Sequence, residues 1–294
     1  MQTHARRSAA RGGTVVCMTT LRIVYVHGIR GKPPEPEYHA EWDAALRRSG
    51  YVTDVETRMM YWADIRLGLT PEVLREAKAH AKERKAPRWS HLRPQTNSAL
   101  GYAIAFVLRL VDPVIRRVMK NLFEDVYFYF YGKRDAEDIR AAILDRMGAE
   151  LDEFRPQVII AHSWGTVIAY DHLVNRGYAG EVEALITLGS PLGNDWVQEH
   201  LGTTAYPDTV HRWLNIFDAM DPATWPDRRI ANDLHGANGE QIIRDAEIPS
   251  VYDEQGKRDA HSWYGYLMSE PIQNELFRIA TAQTLRDLPA RDGA

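Results

Sequence analysis

The chain has 294 residues, 45% of them hydrophobic and 26% charged, which excludes a mainly disordered protein and calls for a packed core. Its formal net charge of -4 supplies no global positive field for a phosphate backbone, so nucleic acid is not an expected partner. One cysteine, Cys17, cannot close an internal disulfide.

Residues 1–20 read as a disordered N-terminal extension, with Met18 as an alternative start. Arg6, Arg7 and Arg11 lie in it, but the apolar stretch Thr14–Met18 is too short for a signal-peptide core, so a cytoplasmic location is the expectation. Residues 21–294 read as one α/β domain. Leu21–Val26 (LRIVYV) is an unbroken β-branched and aromatic run ending in His27-Gly28, the pattern of a buried parallel strand. Pro33–Ser49 suits a loop and then a helix, with Trp42, Ala45 and Leu46 on one face and Gly50 as its stop. Val52–Trp62 reads as a second strand despite Asp54 and Glu56.

Residues 64–134 interrupt the alternation and are expected to form a helical insertion. Thr70-Pro71 is a good helix start, and the charged segment Glu72–Arg88 behind it belongs in solvent. Ala99–Met119 is apolar nearly all round up to Leu108; Arg109, Asp112, Arg116 and Lys120 then argue against a membrane span. A helix packed on the main domain, a cap over the active site, a homodimer face and a membrane-surface contact are all open readings of residues 99–119.

The chemistry concentrates after the next strand. Gln157–Ile160 leads into Ala161-His162-Ser163-Trp164-Gly165, and a helix with Val167, Ile168, Tyr170 and Leu173 follows. A serine on so tight a strand-to-helix turn is a nucleophile elbow. Its backbone is strained, and the positions two before and two after it meet closely packed chain, so small residues are required there. Ala161 and Gly165 satisfy that demand. Val182–Leu188 and Arg212–Phe217 repeat the strand pattern, and the last helix runs over about Pro271–Thr284. Strands alternating with helices predict a parallel sheet whose loops at the strands' C-terminal ends carry the chemistry.

The elbow stretch resembles the A-H-S-x-G of some bacterial lipases, and His27-Gly28-Ile29-Arg30-Gly31 resembles the oxyanion loop of lipases and esterases. Together these motifs resemble the α/β-hydrolase superfamily, over about Leu21–Tyr61 and Gln157–Leu267, as a lipase- or esterase-like serine hydrolase with a helical cap-like insertion. The resemblance implies Ser163 as nucleophile, the backbone amides of Ile29 and Trp164 as oxyanion donors, and the chain order serine, acid, histidine.

Asp221 is the expected acid, on the turn beyond the strand in a stretch resembling the N-x-x-x-x-x-D-P loop of lipase-like hydrolases. Asp218 in the same loop and Asp195 after Gly193 are rivals. His261, late in the chain and just before the last helix, is the expected base, whereas His211 begins a strand and His235 sits too near the acid. His27 is expected to pack the loop, and His162 to point away from its neighbour Ser163.

No histidine or cysteine spacing fits a zinc site and no glycine-rich phosphate loop follows the first strand, so no metal or cofactor is expected. The implied reaction is ester hydrolysis through an acyl-enzyme. The substrate is expected to be a small, apolar ester, held by Phe106, Leu110, Trp263 and Tyr264, with Tyr102, Ile104 and the Trp164 side chain nearby. Two alternatives remain: a non-catalytic binding protein on the same fold, and a hydrolase or acyltransferase acting on lipid at a membrane surface.

Overall fold

The structure, a computed structural model, describes residues 20–29, 32–49, 54–67, 128–134, 137–225, 227–234 and 243–287. The expected extension, most of the insertion with its 99–119 helix, and Tyr102, Ile104, Phe106, Leu110 and His235 lie outside them.

Six strands build one sheet: β1 Leu21–Val26, β2 Val55–Met60, β5 Val158–His162, β6 Ala184–Leu188, β7 Trp213–Asp218 and β8 Ile243–Ile248. Their order is β2-β1-β5-β6-β7-β8 and every pairing is parallel. A short antiparallel pair, β3 Lys133–Arg134 and β4 Glu137–Asp138, stands apart.

The central strands are apolar throughout because both faces are covered. Along β1 the side chains alternate: Val24 and Val26 enter one core, and Leu21, Ile23 and Tyr25 the other. The first core lies beneath two helices, Ile139–Phe154 and Trp164–Asp171 (α3 and α4). The second lies beneath α1 Glu35–Arg48 and α7 Glu270–Asp287; α2 (Ala63–Leu67), α5 (Asp195–Leu201) and α6 (Trp263–Leu267) are shorter helices. Helix α1 buries Tyr38 as well as Trp42, Ala45 and Leu46, as its spacing predicts. This is the α/β fold expected from the sequence, a parallel sheet flanked by helices and consistent with the α/β-hydrolase fold.

Helix α3 and strand β8 are among the elements that the sequence reading leaves out. Helix α3 is capped by Asp138, whose side chain accepts from the amides of Arg140 and Ala141, and it ends at Arg155 in the left-handed region (φ 52°). Strand β8 closes the sheet's edge, where a charged sequence is tolerated because the strand is covered only in part.

The chain leaves β1 outward to β2 and returns on β1's other side as β5. The two strands that part there, β1 and β5, leave a crevice beyond their C-terminal ends, which is where open α/β sheets bind ligands. Ile29 follows β1 and Ser163 follows β5. Among the described residues no helix is long and apolar enough to cross a membrane.

Candidate active site

Ser163 has φ 55° and ψ -129°, a conformation that L-residues with a side chain rarely hold. Neighbours over-determine it. The Ser163 amide donates to the Leu188 carbonyl of β6 at 2.9 Å, while the Thr166 amide and hydroxyl both donate to the Ser163 carbonyl, at 3.0 and 2.7 Å. The small residue at 165 is a steric necessity, since a Cβ on Gly165 would lie 2.3 Å from the Val26 carbonyl oxygen. The end of β1 therefore lies hard against the start of α4.

His261 Nε2 lies 2.8 Å from Ser163 Oγ, and His261 Nδ1 lies 2.8 Å from Asp221 Oδ2. A carboxylate can only accept, so Nδ1 carries the proton and Nε2 is free to accept from the serine hydroxyl. Asp221 is fully buried on the turn after β7. Its Oδ1 accepts from the Ala223 amide at 2.9 Å, which caps the following 3₁₀ turn Pro222–Thr224. Ser163, Asp221 and His261 are thus brought together from three separate loops.

Asp218 is engaged elsewhere. Its Oδ1 accepts from the Met220 amide, and its Oδ2 from the Val251 amide at 2.9 Å and Arg258 Nη2 at 2.6 Å. Asp195 is exposed at the first position of α5. His211 is exposed and pairs with Glu181 at 2.9 Å.

His27 packs, as expected: its ring stacks on Trp62 with centroids 5.2 Å apart, and Nε2 accepts from the Trp62 amide at 3.1 Å. Burial pushes its pKa down to about 3, so it is neutral. His162 packs against the other histidine of the site. Its ring lies 4.7 Å from that of His261, and Nε2 donates to the His261 carbonyl at 3.1 Å. The cause is strand period two: His162 shares a sheet face with Ile160, and the loop carrying His261 folds over that face. Burial and the neighbouring His261 hold His162 well below the usual histidine range.

A cavity of about 310 Å³ opens over Ser163 and His261, and Gly28, Ile29, Trp263 and Tyr264 are among the residues that line it. Lys32, Glu41, Asp253, Glu254 and Asp259 also line it, so its described wall is polar as well as aromatic. The Trp164 side chain is not part of this wall. It is fully buried, 5.7 Å from the Tyr129 ring and 5.8 Å from that of Phe130, because the first residue of α4 faces the core beneath α3. Its amide is another matter, being the first of a helix and without an intrahelical acceptor. Among the described residues no group of three histidine, cysteine or carboxylate side chains could hold a metal ion.

Two residues at the site go beyond the sequence reading. Gly189 has φ +54°, and a Cβ there would lie 2.6 Å from Asp221 Oδ2 and 3.2 Å from His261 Nδ1. Tyr266 donates its hydroxyl to Asp221 Oδ2 at 2.7 Å.

No family model matches the chain, and no curated protein matches it. Among solved structures, a hormone-sensitive lipase from a metagenome library is similar to it. The two are 10% identical with a TM-score of 0.38, over 92% of this chain and 79% of that one.

Proposed function

We propose that this chain is a serine hydrolase that cleaves a carboxylic ester through an acyl-enzyme. The observation that carries this reading is the unbroken pair of 2.8 Å contacts from Ser163 Oγ to His261 and from His261 to buried Asp221, with the serine on a strained turn. Nothing in the core requires a polar chain of that kind, whereas nucleophilic catalysis does.

In this reading Ser163 Oγ attacks the acyl carbonyl as His261 Nε2 takes its proton. Asp221 fixes the tautomer of the neutral imidazole and then stabilises the charge of the imidazolium so formed. In the same reading the oxyanion is held by the backbone amides of Ile29, just after β1, and of Trp164, at the start of α4. His261 then protonates the departing alcohol. Water, deprotonated by His261 in turn, releases the acid and restores Ser163.

Trp263 and Tyr264 are assigned to substrate contact because both line the cavity over Ser163, while the expectation of an apolar acyl pocket built on Phe106 and Leu110 rests on residues outside those described. The carboxylates of the cavity wall favour a substrate with a polar portion. The test is labelling by a fluorophosphonate probe, mapped by mass spectrometry, alongside hydrolysis of p-nitrophenyl acetate. Labelling confined to Ser163, with label and turnover both lost in Ser163→Ala, is the expected result. Labelling of a different serine, or turnover surviving in Ser163→Ala, would overturn the assignment.

A further inference from the structure

Asp221 Oδ2 receives a second donor besides His261. The Tyr266 hydroxyl donates to it at 2.7 Å and itself accepts from the Asp218 amide at 2.9 Å, so amide, phenol and carboxylate form a buried chain that ends on the partly exposed imidazole. The base and the phenol come from a single short segment. Ser262 caps helix α6 by accepting from the Gly265 amide, and the helical turn brings Tyr266 beneath the loop on which His261 sits. Tyr266 is fully buried and does not line the cavity over Ser163.

Burial, followed by the charge of Asp221, raises the Tyr266 phenol well above its ordinary range. It therefore keeps its proton and acts as a constant donor. A donor on a carboxylate oxygen disperses that oxygen's charge and restrains rotation of the carboxyl group. Both effects reach His261, which shares the same oxygen.

We propose that Tyr266 is a positioning residue of the Ser163–His261–Asp221 site, fixing the Asp221 carboxylate and moderating the charge it presents to His261. The inference rests on the hydrolase reading above for its catalytic consequence, but not for its electrostatic one. The other charged or titratable groups around the chain are His162 against the His261 ring, Asp218 paired with Arg258, Asp259 accepting from the His261 amide, and Lys32, Glu41, Asp253 and Glu254 on the cavity wall.

The experiment compares the wild type with Tyr266→Phe and with 3-fluorotyrosine incorporated at position 266. Tyr266→Phe keeps the ring and removes the donor; 3-fluorotyrosine keeps the ring and strengthens the donor. Two readouts are taken: the substrate-free titration of the His261 imidazole by NMR, assigned by its loss in His261→Gln, and the pH profile of kcat/KM on a p-nitrophenyl ester.

Without the phenol the carboxylate holds the imidazolium more strongly. In Tyr266→Phe the titration and the acid limb should move to higher pH, by roughly half a unit or more. Turnover should fall about tenfold, with KM nearly unchanged. Fluorotyrosine should move both curves the opposite way. Tyr266→Phe also strips the Asp218 amide of its acceptor, so thermal unfolding is followed in parallel, and the fluorinated protein, which keeps every hydrogen bond, covers the case in which Phe fails to fold.

Curves that coincide with the wild type in the folded variants, or that move the same way in both, would overturn the proposal and leave Tyr266 a packing residue. If the wild type lacks Ser163-dependent turnover the hydrolase reading fails, and the NMR titration decides the role of Tyr266 alone.

Discussion

A Cβ on Gly28 would lie 2.6 Å from the Cβ of Ser163 and 3.2 Å from its Oγ, so the loop after β1 touches the elbow with no side chain between them. On the hydrolase reading proposed above, this close approach is what would let the Ile29 amide serve as an oxyanion donor. Relief by rotating a flexible side chain is not available, because the atom met is Ser163 Cβ itself. Gly28→Ala should therefore lower kcat/KM for p-nitrophenyl acetate by about 100-fold through misplacement of reacting groups. Unfolding should change little, since the loop can give way outward. Full activity in a folded Gly28→Ala protein would remove this loop from the oxyanion site.

The two aspartates of the β7 loop should separate cleanly. Asp221→Asn keeps the shape but puts an amide where His261 Nδ1 needs an acceptor, and kcat should drop by about 10⁴. Asp218→Ala instead frees two backbone amides and Arg258, and should cost about 1–3 kcal/mol of stability while leaving most of the turnover per folded molecule. Urea unfolding together with steady-state kinetics measures both. The reverse pattern would transfer the acid's role to Asp218.

The elbow is legible in sequence because its requirement is steric and local: the chain must be small at 161 and 165, strand before and helix after. The strand Leu21–Val26 is legible for a similar reason, being buried on both faces and so apolar at nearly every position. Strand β8 is not, since Ile-Arg-Asp-Ala-Glu-Ile at a sheet edge carries the charges of a surface segment. Helix α3 has both a capping aspartate and a regular apolar stripe, and the sequence reading leaves it out although its signals are present. Tyr266 and Gly189 are a different matter. Each is defined by what it meets in space, namely Asp221, and no local pattern encodes that meeting.

Away from the chemistry, Asp171 should be a stability determinant. Fully buried on α4, it accepts from Arg140 Nε and Nη2 at 2.7 Å each, from the Tyr129 hydroxyl at 2.5 Å and from Asn175 Nδ2 at 2.9 Å. These bonds tie the helical segment at 128–131 and α3 to the elbow helix. Asp171→Ala would leave a partly buried guanidinium and a buried phenol without their partner. A loss of about 3–5 kcal/mol in urea unfolding is expected, and a loss under 1 kcal/mol would show that solvent replaces the carboxylate.

The buried histidines predict a loss of stability on mild acidification. In the folded chain His27 is held at about 3, against an ordinary value of 6.5, by burial, and His162 is also held well below its ordinary value. Between those two pH values the unfolded chain binds a proton at position 27 and the native chain does not. Stability conferred by neutral His27 is therefore fully present above about pH 6.5, falls as pH drops below that, and stops falling near pH 3. His27 contributes a slope of about 1.4 kcal/mol per pH unit inside this window, or about 2 kcal/mol at roughly pH 5. Gln at position 27 offers the Trp62 amide an uncharged acceptor that does not titrate. His27→Gln should be less stable than wild type at neutral pH and lose less on going to about pH 5, the difference in slopes approaching 1.4 kcal/mol per unit. Urea unfolding at intervals from about pH 7.5 to pH 4.5 measures both slopes, with the carboxylate contribution common to the two proteins. Parallel slopes would mean that His27 takes up its proton in the native chain, by opening of the Trp62 stack, and would remove it as a source of acid sensitivity.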